Sequence, residues 1–164
     1  MKKFLTLGNI LVCCGAVLAL VSILLMFAPA ISMTVSVGKE SVTSSYTGVQ
    51  VAFGYTEASK IAKDGIPILK FSFGNFLPYL LALVGIVFAV LAILGKLGKI
   101  SGFVASGCFL VAGVLFFCAL PMTIPASEAN LLKEYTLGLG AIFAGILSVL
   151  AAALCAVPAF IKKN

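Results

Sequence analysis

Four long apolar runs dominate the pattern of hydrophobic and polar positions along the chain. The runs extend over about Phe4–Phe27, Phe76–Leu94, Ile100–Leu120 and Tyr135–Phe160. Each run has close to the roughly 20 residues that an α-helix needs to cross the hydrocarbon core of a bilayer. The pattern therefore predicts four transmembrane helices.

The stretch between the first two runs shows the alternation that is typical of half-buried β-strands. Ile31–Val37 alternates apolar and polar residues, Ser41–Thr47 is a β-branched polar run, and Val49–Tyr55 and Leu69–Phe73 alternate again. Thr56–Lys63 has the pattern of about two helical turns, with Thr56 as the cap. We therefore expect four short strands that form an antiparallel sheet, with one short helix among them.

These elements predict an integral membrane protein that is mainly α, a four-helix transmembrane bundle with a small antiparallel β-sheet in its first extracellular segment. The predicted segments are transmembrane helix 1 (1–29), the extracellular β-rich segment (30–75), transmembrane helix 2 (76–95), a cytoplasmic turn (96–99), transmembrane helix 3 (100–121), a short extracellular loop (122–134), transmembrane helix 4 (135–161) and a cytoplasmic tail (162–164).

The composition agrees with a chain that is solvated by lipid. Hydrophobic residues make up 62% of the sequence and charged residues 10%, with a mean hydropathy of +1.24. A soluble domain has nearly half apolar and a quarter charged residues. A water-soluble globule, a disordered chain and a nucleic-acid binder are therefore excluded as main interpretations, and the lipid bilayer is the expected partner of the helices.

The net charge of +6 comes from lysines that flank the spans on one side. These lysines, which have no acidic residue among them, are Lys2, Lys3, Lys96, Lys99, Lys162 and Lys163. All five acidic residues share the remaining segments with the other five lysines. By the positive-inside rule we expect a multi-pass protein of the cell membrane with both termini cytoplasmic.

The first run has one alternative interpretation, because Met1-Lys2-Lys3 and Ala28-Pro29-Ala30 are features of a secretory signal peptide. Its apolar stretch is about twice as long as the apolar core of such a peptide. We therefore favour a retained transmembrane helix.

Two groups of residues are candidates for protein–protein contacts. In the fourth span Gly140, Ala144, Ser148 and Ala152 recur every four residues on one helix face. Small residues at this spacing let helix backbones approach closely in lipid. The face could serve dimerisation or packing within the same bundle, and the second interpretation is favoured. At the margins of the sheet the candidates are Val42, Tyr46, Leu69 and Phe71.

The sequence offers little catalytic chemistry. It has no His and no Arg, and no Asp, Glu or Lys lies deep within a span. A general base of the commonest kind and the charged groups that mark proton paths in membranes are thereby missing. We predict no enzyme activity, no cofactor, no metal and no nucleic-acid partner. The expected function is interaction with itself or with another membrane protein; the alternative is an accessory subunit or a small channel or transporter for lipid or neutral solute.

The layout resembles that of the tetraspan membrane proteins of the claudin and peripheral-myelin-protein type. The resemblance covers the whole chain as topology: four spans, both termini inside, a long first extracellular segment of β-strands and a short second one. The Trp, Gly-Leu-Trp and paired cysteines of that family's first extracellular segment are absent, since the chain has no Trp and its five cysteines lie in the spans. The resemblance implies a non-enzymatic protein that acts through lateral and extracellular contacts.

The predicted orientation can be tested by labelling single cysteines. In a background with the five native cysteines replaced, we expect Ser45→Cys to react with an impermeant thiol reagent from outside intact cells. Leu97→Cys should react only after the cells are permeabilised. Labelling of position 97 from outside would contradict the orientation.

Overall fold

The structure is a computed structural model that describes residues 6–37, 40–58, 66–95, 99–126 and 134–160. Its elements, in chain order, are α1 (Leu7–Leu24), a 3-10 turn (Leu25–Phe27), β1 (Pro29–Val37), β2 (Glu40–Thr47), α2 (Gly48–Phe53), β3 (Tyr55–Glu57), β4 (Ile66–Leu69), α3 (Phe73–Ile93), α4 (Lys99–Phe117), α5 (Ala119–Met122), β5 (Glu134–Leu137) and α6 (Leu139–Phe160).

Four helices are long and apolar enough to cross a membrane, which confirms that the four apolar runs form long helices. They extend over Leu7–Phe27, Phe73–Ile93, Lys99–Phe117 and Leu139–Pro158. At 1.5 Å per residue, 19 to 21 residues give a length of about 30 Å, the thickness of a bilayer's hydrocarbon core. The chain is therefore mainly helical, with the length and composition of a multi-pass membrane protein.

The four long helices form a bundle in which α1 and α4 each pack against both α3 and α6. Most residues at the centre of the bundle are small, and the buried set is Val12, Ala19, Ala89, Ala105, Phe109, Ala151, Ala152 and Cys155. Large apolar side chains point outward instead; Leu20, Leu83, Leu110 and Phe143 are each more than half exposed. This distribution fits helices whose outer faces contact lipid.

One large side chain, Phe109, occupies the centre of the bundle. It lies on α4 and is fully buried. Its ring faces Gly85 of α3, where an added Cβ would come within 2.5 Å of Phe109 Cε1. The absence of a side chain at Gly85 is therefore what admits the ring between the two helices.

The segment between the first two long helices does not form one four-stranded sheet as predicted, and the main sheet takes a strand from the region before the fourth long helix. The three-stranded antiparallel sheet has the order β2-β1-β5, and β3 and β4 form a separate antiparallel pair. β5 lies at the predicted start of the fourth span, so the helix there begins at Leu139 and not at residue 135. The third span also ends earlier than predicted, at Phe117, and Pro121 lies in α5.

The predicted third strand, Val49–Tyr55, is wrong over most of its length, since Gly48–Phe53 is the helix α2. Thr47 and Gln50 form a capping box. The Thr47 N–H donates to Gln50 Oε1 at 2.9 Å, and the Gln50 N–H donates to Thr47 Oγ1 at 3.4 Å. This cap satisfies backbone groups at the helix start and outweighs the local alternation.

Two further predictions in this segment need correction. Thr56 and Glu57 belong to strand β3 and do not begin a helix, and residues 59–65 lie outside the described residues. The last predicted strand, Leu69–Phe73, is displaced, because β4 ends at Leu69 and α3 begins at Phe73. Ser72 is the N-cap of α3, and its side chain accepts a hydrogen bond from Asn75 N at 3.3 Å.

We predict that Gly85→Ala destabilises the bundle by about 1–3 kcal/mol, the usual cost of overpacking a core. The new methyl group would force the ring of Phe109 out of its position. Gly107→Ala is the control, because no atom lies within 4 Å of a Cβ placed there. Thermal unfolding in mild detergent should separate the two variants, and equal stability would contradict the packing described.

Candidate interaction surface

The hairpin of β1 and β2 extends beyond the rest of the sheet. β1 pairs with β2 from Pro29 to Val37, whereas β5 pairs only with Ile31–Thr34. The part of the hairpin nearest its turn is therefore two-stranded in the described structure. Residues 41–45 of β2 are all exposed.

The outer edge of β2 has its backbone groups directed away from the sheet. Gly138 N donates to Ala30 O at 2.7 Å, so Ala30 faces β5. Because alternate residues of a strand direct their backbone groups to opposite edges, Ser32 and Thr34 also face β5. Their partners in the β2 register are Ser45 and Thr43. The N–H and C=O groups of Ser45 and Thr43 therefore point to the free edge, which we call the β2 edge.

The segment after α5 covers a different strand edge, that of β4. Lys70 N donates to Ile124 O at 2.9 Å, and Ala126 N donates to Ile68 O at 3.0 Å. These bonds place residues 124–126 beside β4. Among the described residues no strand other than β1 pairs with β2.

One face of the hairpin is a ladder of hydroxyl groups. Ser32 Oγ and Ser45 Oγ are 3.1 Å apart, and Thr34 Oγ1 and Thr43 Oγ1 are 3.2 Å apart. Thr136 Oγ1 on β5 donates to Ser32 O at 3.4 Å. Cross-strand hydroxyl pairs of this kind stabilise an antiparallel sheet. On this face, the hydroxyl pairs link the two long strands as far as Thr43.

The opposite face of the sheet packs against the helices. Ile31 and Met33 are buried there together with Tyr46, and Val51 of α2 completes the contact. Ile31 and Met33 had been expected on the apolar face from their alternation. The lower half of the sheet is thereby fixed to the bundle.

Three of the four tyrosines gather around this packed face. The rings of Tyr46 and Tyr55 lie 5.8 Å apart, and Tyr135 lies opposite Met33 in the register. Burial raises the pKa of Tyr46 above its ordinary value of 10.0, and the negative charge of Glu57 raises it further. Burial also raises the pKa of Tyr135. The packing of the sheet therefore favours the neutral phenols of Tyr46 and Tyr135.

The sequence-predicted residues of the sheet divide into two exposed and two buried side chains. Val42 is 64% exposed on β2 and Phe71 is 53% exposed before α3. Tyr46 and Leu69 are only 5% and 4% exposed. Of these four residues, Val42 and Phe71 are therefore accessible to a partner. Tyr46 lies on the same face of β2 as Val42, but at the end of the strand that packs against the bundle.

The small-residue face of α6 packs within the chain. Ala144, Ser148 and Ala152 are at most 2% exposed. Ser148 Oγ donates to Ser22 Oγ of α1 at 3.1 Å, and Ser106 Oγ of α4 donates to Ala152 O at 2.8 Å.

Gly140, the fourth residue of this face, is also covered from within the chain. A Cβ placed there would come within 2.7 Å of Pro29 O. The face therefore joins α6 to α1, β1 and α4 and is not open to a second chain.

The described residues contain no group of three or more His, Cys, Asp or Glu side chains that could hold a metal ion. All five cysteines are free thiols within the helices or at the end of α4. Comparison of the chain with protein-family models, with curated proteins and with solved structures finds no match. The resemblance to the claudin layout therefore stays a prediction from the sequence.

We predict that the sheet loses stability above pH 10 through Tyr46. Its pKa is higher in the folded state, so the stabilisation is complete below the unfolded pKa of about 10 and is lost as the pH rises through the folded pKa. Tyr46→Phe should remove this part of the pH dependence. The comparison is made by thermal unfolding of both chains across the alkaline range, and identical pH profiles would contradict the prediction.

Proposed function

We propose that the chain is a non-enzymatic membrane protein of the cell membrane that acts by protein–protein interaction through the β2 edge on its extracellular side. The placement of the flanking lysines supports this orientation. The observation that carries the proposal is the direction of the backbone groups of Thr43 and Ser45 on a strand that is exposed over five successive residues.

An exposed strand edge presents a row of unpaired donors and acceptors, to which another strand can be added. The partner that we propose is the β2 strand of a second copy. A two-fold axis between the two copies pairs the same residues on both sides and closes the assembly at a dimer. The exposed Val42 side chain lies beside the backbone groups and supplies an apolar contact.

The buried small-residue face supports this choice of surface. Gly140, Ala144, Ser148 and Ala152 are occupied inside the chain, so lateral contact through them is not part of the proposal. The sheet edge is the candidate that the structure leaves accessible.

For the alternative function, a channel or transporter for lipid or neutral solute, the part of the chain that the structure describes gives no supporting observation. A cavity of about 10 Å³ lies beside Asn75, Tyr79 and Phe116, and it has room for about one water molecule. A site of this size offers no support for the passage of a solute.

We predict that Thr43→Pro converts a dimer into a monomer without unfolding the sheet. Proline removes an N–H that faces the free edge, and proline is tolerated at such positions of an edge strand. A backbone hydrogen bond contributes about 1 kcal/mol. The loss of this bond and the weakening of the adjacent ones should lower the dimer affinity by about tenfold or more. Native mass spectrometry in mild detergent measures the oligomeric state.

The neighbouring position supplies the matched control. Ser44 lies opposite Met33 and directs its backbone groups to β1, so Ser44→Pro should break the hairpin and lower the melting temperature as well. Thr43→Lys tests the same edge by charge repulsion across the interface, with all backbone donors kept. A wild-type chain that is monomeric, or a folded Thr43→Pro chain that assembles normally, would overturn the proposal.

A further inference from the structure

Four phenylalanines form a continuous aromatic cluster where the sheet meets α3. Their ring centroids are separated by 6.4 Å between Phe71 and Phe53, by 5.4 Å between Phe53 and Phe76, and by 6.5 Å between Phe76 and Phe73. Phe53, Phe71 and Phe73 are each more than half exposed. A contiguous patch of exposed aromatic rings is typical of an interaction site.

Two backbone contacts fix the position of the cluster. Ser72 N donates to Ala52 O at 3.0 Å, which joins the end of α2 to the segment before α3. Gly54 follows with φ +88°, and a Cβ there would come within 2.9 Å of Leu69 O. The positive φ and the close approach both suit glycine at this position. Phe53 is thereby held against Phe71 and Phe76.

The cluster is continuous with the outward face of α3. Large exposed residues follow one another on this helix at spacings of three, four or seven, which places them on one stripe. The stripe consists of Phe73, Leu80, Leu83, Val87, Val90 and Leu94. Because α3 is about as long as a hydrocarbon core is thick, the stripe is long enough to cover the depth of a bilayer, with Phe73 at one end.

We infer that the aromatic cluster of Phe53, Phe71, Phe73 and Phe76 inserts into the lipid leaflet on the side of the sheet, and that α2 lies on the membrane surface. The occupant that we assign to the patch is lipid, because the patch continues the exposed apolar face of a helix with the length and composition of a membrane span. Phe53 and Phe71 belong to no spanning helix, so they extend the membrane contact to the segment that carries the sheet.

The residues around the cluster fit this placement. Lys70 is exposed and lies between the buried Leu69 and the exposed Phe71. A lysine at such a position buries its stem along apolar surface and brings its ammonium group to the lipid phosphates. On the other side of α2, Val51 and Ala52 are buried against the protein. The short helix therefore has one side toward the protein and Phe53 on the other.

The chain has no tryptophan, so a single introduced tryptophan reports on its own surroundings. We would prepare Phe53→Trp and Phe71→Trp and reconstitute each in vesicles of phosphatidylcholine that carries bromine on its acyl chains. Leu83→Trp, at mid-depth on α3, is the positive control. Val42→Trp, on the exposed part of the hairpin, is the control for a side chain outside the lipid, whether or not a second copy is paired at the β2 edge.

The proposal expects Phe53→Trp or Phe71→Trp to lose clearly more emission than Val42→Trp, with stronger quenching by bromine near the headgroup than by bromine near the chain end. Leu83→Trp should show the opposite depth preference. If both cluster variants are quenched no more than Val42→Trp while Leu83→Trp is quenched, the proposal is overturned, and a protein partner covers the patch or the patch stays in water.

The wild-type chain provides a second measurement that needs no substitution. A phospholipid with a diazirine on its acyl chain is photolysed in the same vesicles, and the modified residues are mapped by mass spectrometry. Adducts on Phe53 or Phe71 support the insertion, and adducts confined to the spanning helices oppose it. Because dimerisation through the β2 edge is read out separately, failure of this inference leaves the proposed function untouched.

Discussion

Close contact between helix backbones at small residues is the constraint on which the rest of the structure depends. Lipid offers the helices no hydrophobic gain for turning large apolar side chains inward, so packing of small residues and hydrogen bonds must hold the bundle together. Ala19, Ala89, Ala105 and Ala151 are fully buried. The Ser22–Ser148 hydrogen bond adds a polar link between α1 and α6 in the same interior. Most large apolar side chains face outward because the closely packed interior has room for only a few, such as Phe109 beside Gly85.

The helix packing in turn determines the sheet. β1 begins two residues after the 3-10 turn that ends α1, and β5 ends two residues before α6 begins. Because α1 and α6 are packed together, their extensions emerge side by side and pair as β1 and β5. Gly138 and Gly140 permit this junction, since a Cβ at either position would collide with the Pro29 carbonyl. The three-stranded sheet is thus built on two neighbouring helices, although β1 and β5 lie about a hundred residues apart in the sequence.

The same dependence explains how much of the fold the sequence could predict. The spans and the β1–β2 hairpin are local patterns of hydrophobicity, and both were found in the sequence. The sequence does not predict β5, because a four-residue strand next to an apolar run is distinguished from the start of a helix only by its pairing with β1. Val49–Tyr55 alternates like a strand, yet the cap of Thr47 and Gln50 begins a helix that extends over Gly48–Phe53.

For the candidate site, the sequence does not indicate how exposed each side chain is in the folded chain. Val42 and Tyr46 lie on one face of the same strand, and only the distance from the bundle separates the exposed side chain from the buried one. The aromatic cluster was missed for a related reason, since its rings come from α2, from α3 and from the segment between β4 and α3. A sequence pattern indicates which residues share an element, whereas this cluster depends on which elements meet.

The β2 edge and the aromatic cluster belong to different halves of the region around the sheet. The lower half is held by the helices and, in our inference, by lipid around Phe53 and Phe71. Among the described residues, neither β5 nor a helix lies beside the half near the hairpin turn, and a two-stranded ribbon is at best marginally stable in water. Addition of a strand at the β2 edge would give this ribbon the third strand that it lacks. Association through the edge would therefore order the part of the sheet that the bundle cannot reach, and the membrane contact would hold its base while the partner binds.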